Sequence, residues 1–248
     1  MPKPAGGWKR FLALGCSHGH LQDDAAVKAV LKFRKAFKPH RVIHLGDFID
    51  TAAFRSGAMG TPDEAVDLKG DLGHGLNFLR ALEPTDVLIG NHEDRLWAAA
   101  KHYNAVKAYA AQAIIDDIHR LMKARKVNFI DHYDINRSWI ELGDAKFIHG
   151  YMYGENAIRD HAEHFGKCVI AHLHQVGSAA GRRSDHAKAY CVGTLANIPA
   201  MAYAKTRRAT ARWSHGFAWG EYKEGGECRI NLSQCEPGQA ANWYLPKL

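Results

Sequence analysis

The sequence predicts an α/β fold of two mixed β-sheets packed face to face with flanking helices. Three observations predict it. Short apolar runs alternate with helical stretches through the first half of the chain, and beyond Val127 the pattern changes to strand after strand. The 248 residues are 46% hydrophobic and 24% charged, enough to bury a sizeable core.

The elements follow in order. Residues 9–15 (KRFLALG), 41–46 (RVIHLG) and 86–90 (DVLIG) are apolar runs of strand length, each closed by glycine and followed at once by polar residues. Between the first two, residues 23–37 place Ala26, Val27, Val30, Leu31 and Phe37 near helical spacing, with lysines on the other face. A strand, helix, strand crossover implies parallel strands. Residues 93–126 are Ala-rich and charged, without Pro or Gly, and predict one or two long helices. The later strands are VNFID (127–131), SWIEL (138–142), AKFIHG (145–150), CVIAHLH (168–174) and AYCVGTL (189–195). GFAWGEY (216–222) and CRINL (228–232) then flank a Gly225-Gly226 turn. No linker or repeat divides the chain, so one domain is expected over 1–248, with a helical segment at about 94–126 and a basic loop region at about 178–216.

Composition excludes several classes. No apolar run approaches the roughly 20 residues that cross a bilayer, and the apolar stretch near the start is too short for a signal peptide, so a cytoplasmic protein with no membrane partner is expected. The cysteines, Cys16, Cys168, Cys191, Cys228 and Cys235, are odd in number and contain no CxxC. That argues against a disulfide framework and a zinc finger. The formal charge of +7 points toward phosphate-bearing partners. Sixteen histidines exceed what packing asks for.

The chemistry falls at the strand ends. Cys16 and His18 follow the first strand, Asp47 and Asp50 the second, and Asn91, His92 and Glu93 the third; later strands end in His149-Gly150 and His172-Leu173-His174. Ligands of open α/β sheets bind outside the carboxyl ends of the strands. Alternate residues of an extended segment point to one side, so Cys16/His18 and His172/His174 can each reach one metal cluster.

In these blocks the sequence resembles the calcineurin-like metallophosphoesterases of phage and bacteria, whose signatures are DxH, GDxxD, GNH(E/D), a His usually followed by Gly, and GHxH. Gly46 to Asp50, Gly90 to Glu93, His149-Gly150 and Ala171 to His174 match in order, the last with Ala for the leading Gly. The first block departs, with Cys16 where the family has Asp.

The resemblance implies a four-layer αββα sandwich, host-cytoplasmic if phage-encoded, and a dinuclear centre. Cys16, His18, Asp47 and His174 would hold one metal; Asp47, Asn91, His149 and His172 the other, with Asp47 bridging. The ions would be Mn, Fe or Zn, and a thiolate at Cys16 favours Zn or Fe there. A metal-bridged hydroxide would attack a phosphomonoester or phosphodiester, with His92 as general acid. Asp50 and Glu93 would orient His92 or a ligand imidazole, although Asp50 is also readable as a helix cap. A fold kept as a binding scaffold, with catalysis weakened by Cys16, is the competing expectation. A phosphocysteine nucleophile is a poor one, since Cys16-Ser17-His18-Gly19-His20 lacks the following Arg that such loops use.

The remaining histidines, His40, His44, His74, His102, His119, His132, His161, His164 and His186, have ordinary polar explanations, while His20 and His215 stand between. Tyr151 and Tyr153 are expected to pack rather than stack on a substrate. Residues 178–216 carry Arg182, Arg183, Lys188, Lys205, Arg207, Arg208 and Arg212 against Asp185 alone; the rest of the chain has 26 basic and 25 acidic residues. That stretch, and Arg182, Arg183, Arg207 and Arg208 in particular, is expected to contact substrate phosphate, which favours nucleotide or nucleic-acid substrates.

Overall fold

The computed structural model describes residues 6–201 and 208–235. Along the chain, β1 (Lys9–Leu14) leads through α1 (Asp24–Phe37) to β2 (Arg41–His44), and α2 (Leu68–Leu82) leads to β3 (Asp86–Leu88). Two helices, α3 (Asn91–Ala99) and α4 (Ala105–Ala124), precede β4 (Asn128–Ile130). The second half contains β5 (Ile140–Leu142), β6 (Ala145–Phe147), α5 (Ala157–Phe165), β7 (Cys168–Ile170), β8 (Val176–Ala180), β9 (Lys188–Val192), β10 (His215–Tyr222) and β11 (Cys228–Cys235).

One sheet has the order β11-β10-β1-β2-β3-β4 and the other β5-β6-β7-β9-β8. Both are mixed, as expected. β1 to β4 are parallel while β10 joins β1 antiparallel; β6, β7 and β9 are parallel between antiparallel edges. Alternation along β1 sends Phe11 and Ala13 into the core between the sheets and Leu12 and Leu14 under the helices. Phe11 meets Phe147 of the opposite sheet edge-on, ring centroids 5.0 Å apart; truncating either to Ala costs about 3–5 kcal/mol. Helices α1 and α2 cover the outer face of the first sheet, and α5 covers the second, with Ala162 and Phe165 on Ile148, Cys168 and Ile170. The result is a four-layer αββα stack.

Helix α1 shows how sequence sets an element. The Asp23 carboxylate accepts the Ala26 amide at 2.9 Å, capping the first turn. Ala26, Val30, Phe33 and Phe37 form its buried stripe, and Lys38 ends it in left-handed backbone.

Three elements lie outside the sequence expectations: α2, α5 and β8. They change the reading of residues 178–216, which do not form one loop: 178–180 finish β8 and 188–192 are β9. Among the described residues no helix is long and apolar enough to cross a membrane.

Candidate metal centre

The carboxyl ends of five strands converge. Cys16 and His18 follow β1, Asp47 and Asp50 follow β2, and Asn91 and His92 open α3 just after β3. His149 follows β6, and His172 and His174 follow β7. Each sheet therefore supplies part of one cluster. An extended segment would bring Cys16/His18 or His172/His174 to one side by alternation, but the chain achieves it otherwise. Cys16 (φ 54°), His18 (53°), Asp47 (55°), His172 (62°) and His174 (57°) all sit in left-handed backbone. For non-glycine residues that region costs about 1–3 kcal/mol each, so the five turns are held by their surroundings.

Two groups of potential ligand atoms share Asp47. In Cys16, His18, Asp47 and His174, one donor atom from each lies within 4.8 Å of the others, and the same holds for Asp47, His149 and His172. The Nδ1–H of His149 donates to the Leu45 carbonyl at 2.8 Å. Its Nε2 therefore faces Oδ2 of Asp47 at 3.2 Å and Oδ1 of Asn91 at 3.1 Å. Nδ1 of His172 lies 2.8 Å from the same Asn91 oxygen. On the other side, the Nδ1–H of His18 donates to Oδ1 of Asp50 at 3.0 Å, which leaves Nε2 facing Nε2 of His174, also at 3.0 Å. The buried Nδ1 of His174 has no hydrogen-bond partner.

Burial and charge act on the cluster in opposite directions. Burial opposes charge on His149, yet Asp47 outweighs it and raises the imidazole pKa. Burial alone would raise Asp47, but His149, His92 and His18 hold it well below the usual carboxylate range. Burial brings His172 down to about 3 and His174 well below its ordinary value, so both are neutral and free to act as ligands. Burial and Asp47 push the Cys16 thiol well up. Neutral imidazoles, a carboxylate, an amide oxygen and a sulfur that collect acceptors around two points fit divalent transition ions.

Supporting residues fix these turns. The Glu93 carboxylate accepts the amides of Asp47 (2.8 Å), Gly90 (2.8 Å) and Ile49 (3.0 Å), tying the β2 and β3 ends together. Asp50 is not a helix cap; its carboxylate lies 3.0 Å from Nδ1 of His18 and 3.2 Å from Nδ1 of His92. These two imidazoles overcome its burial and hold it low. Gly90 is required by close approach, since a Cβ there would come 2.2 Å from Oδ1 of Asp47.

No protein-family profile and no curated protein matches the chain in sequence. Solved structures do resemble it. A metallophosphoesterase from Sphaerobacter thermophilus is 16% identical, aligned over 93% of this chain and 89% of that one, with TM-score 0.47. Vps29 from Chaetomium thermophilum is 11% identical over 97% of both chains, TM-score 0.47. Yfce, a phosphoesterase from E. coli, is 13% identical over 85% and 87%, TM-score 0.38.

Sequence reasoning missed four neighbours of the cluster. Asp71 of α2, 2% exposed, accepts the amides of Asp50 and Thr51 and the Nδ1–H of His20. His44, counted above as ordinary, accepts the Gly46 amide at Nδ1 and reaches Ser17 through Nε2, both at 3.2 Å. Trp213 packs edge-on against His174, centroids 4.5 Å apart. Arg95 lies against His92, and of the four it alone had a usable signal: it is three residues beyond His92 on a helix.

The basic stretch requires correction. Arg182 and Arg183 sit in the turn between β8 and β9, at the end of the sheet opposite His172 and His174, because β9 runs parallel to β7. Five residues of strand put that turn roughly 15 Å away. There the Arg182 amide meets the Glu163 carboxylate, and Arg183 pairs with Asp185 and the Glu163 carbonyl. Arg207 and the side chain of Arg208 fall outside the described residues. Tyr151 packs on Tyr133 with centroids 4.6 Å apart, as expected, whereas Tyr153 is exposed. His215 is buried, its Nε2 on the Ala196 carbonyl.

Proposed function

We propose that the chain is a dinuclear metal-dependent phosphoesterase. The observation that carries the reading is the pair of acceptor clusters sharing Asp47, with His92 at their rim, on residues that match the metallophosphoesterase sequence blocks. Cys16, His18, Asp47 and His174 would hold one ion, and Asp47, Asn91, His149 and His172 the other. Zn or Fe suits a thiolate at Cys16 better than Mn. Ions bound there supply Lewis acidity toward phosphoryl oxygens and an activated water as nucleophile.

The chain's own groups do the rest. The Nδ1–H of His92 donates to the Asp50 carbonyl at 2.7 Å, and the Asp50 carboxylate stands beside it. The ring is thereby held in place, and its Nε2 is the atom that would deliver a proton to the departing oxygen. The His92 amide donates to Oδ1 of Asp47 at 3.0 Å, linking acid and bridging ligand directly. Arg182 and Arg183, at the far end of the sheet, give no ground for favouring nucleotides, and the substrate is a phosphoester of unspecified alcohol.

Metal analysis of the purified protein, joined to assays of an aryl phosphate and a bis-aryl phosphate after reconstitution with Mn, Zn, Fe and Ni, tests the proposal. Two ions per chain and turnover of either ester are expected. No bound metal and no turnover with any ion would leave a binding scaffold instead.

A further inference from the structure

Arg95 lies on α3 one turn beyond His92, so the two side chains share a helix face. Its Nη1 donates to the Asp50 carbonyl at 3.0 Å and lies 3.1 Å from Nδ1 of His92, while Nη2 lies 3.2 Å from Nε2 of His92. The guanidinium thus runs alongside the imidazole, and its outer nitrogen stands next to the atom assigned to protonate the leaving group. Other arginines are differently placed: Arg34, Arg41 and Arg55 reach Glu83, Asp86 and Asp63. Among the described residues no carboxylate forms an ion pair with Arg95, which is half-buried. Its partners are one backbone carbonyl and the nitrogens of the His92 ring, none of them an anion. A guanidinium prefers a two-oxygen anion in fork geometry, carboxylate or phosphate.

We infer that Arg95 contacts the phosphoryl group of the substrate and makes the site prefer phosphomonoesters to phosphodiesters. The inference rests on the phosphoesterase reading above. A monoester dianion carries one more charged oxygen than a diester, which has an ester substituent in its place. A fixed cation beside His92 rewards that extra oxygen and gains little from the diester. Were Arg95 only a support for His92 and the Asp50 carbonyl, its loss would lower both esters alike.

Arg95→Ala and Arg95→Lys, reconstituted with metal beside the wild type, separate these cases. The readings are metal per chain, thermal midpoint, affinity for inorganic phosphate by calorimetry, and kcat/KM for an aryl phosphate and a bis-aryl phosphate. In Arg95→Ala, metal content stays unchanged and phosphate affinity falls at least about tenfold, while aryl phosphate kcat/KM falls about 100-fold and the diester less than about tenfold. Arg95→Lys recovers part of the loss and shows that the fold tolerates change there. Equal losses on the two esters with phosphate affinity unmoved would overturn the inference and leave Arg95 as a positioning residue. Arg95-dependent phosphate binding by a wild type that hydrolyses neither ester would uphold the anion contact and sink the phosphoesterase reading.

Discussion

The Sγ of Cys16 lies 4.0 Å from Oδ2 of Asp47, the carboxylate common to both candidate metal groups. The His172 amide donates to the same sulfur at 3.2 Å. Cys16 thus lies within reach of the shared carboxylate, on left-handed backbone.

If the sulfur is a ligand, Cys16→Ser loses metal by more than the ~10–100-fold typical of removing a supporting partner, while Cys16→Asp retains part of it. Binding must also displace a proton, because burial and Asp47 hold the thiol pKa well up. Metal affinity should then rise with pH in a titration from pH 6 to 8. Full stoichiometry and rate in Cys16→Ala would remove Cys16 from the ligand set.

Gly90→Ala directs a methyl at Asp47 and at Cε1 of His149, 2.5 Å away. Both are buried and pinned, so the expected result is a destabilisation of about 1–3 kcal/mol together with loss of bound metal. Denaturant unfolding and metal analysis of the variant give the two numbers.

Removing metal with a chelator should lower the melting temperature, because the acceptors around Asp47 then face one another uncompensated. An ion at 100 times its dissociation constant adds about 2.7 kcal/mol to the folded state. Re-addition should restore the melting temperature, and an identical melt with and without ion would count against the site.

Stability should also fall in acid for a reason independent of metal. Burial lowers His44 from 6.5 to about 3. Between those values the unfolded chain binds a proton that the folded chain excludes. Its contribution is complete above pH 6.5 and is lost as pH falls, at about 1.4 kcal/mol per pH unit. Because His172 and His174 are lowered in the same way, urea unfolding at pH 7, 6 and 5 should show at least that slope, and His44→Gln should lessen it.

The strand ends were legible because each is a local pattern: an apolar run, a glycine, then a polar block. Asp71 was not. It projects from α2, a helix carrying Gly70, Gly73 and Gly75 whose composition hides its periodicity. Gly75 is there for contact, since a Cβ would fall 2.4 Å from Cγ2 of Ile49. The left-handed turns were equally hidden, for nothing in Cys16 or Asp47 as residue types announces positive φ. Charge counting misled at Arg182 and Arg183, because proximity in sequence to His174 crosses the full length of a strand.

The cluster draws Cys16, His18, Asp47 and Asn91 from one sheet and His149, His172 and His174 from the other. A nascent chain that has emerged only through residue 150 holds five of these seven residues, yet lacks a histidine for each ion. Were ions held here, loading would wait until the segment after β7 has left the ribosome and the two halves have met, so uptake at this site would report that the sheets had joined.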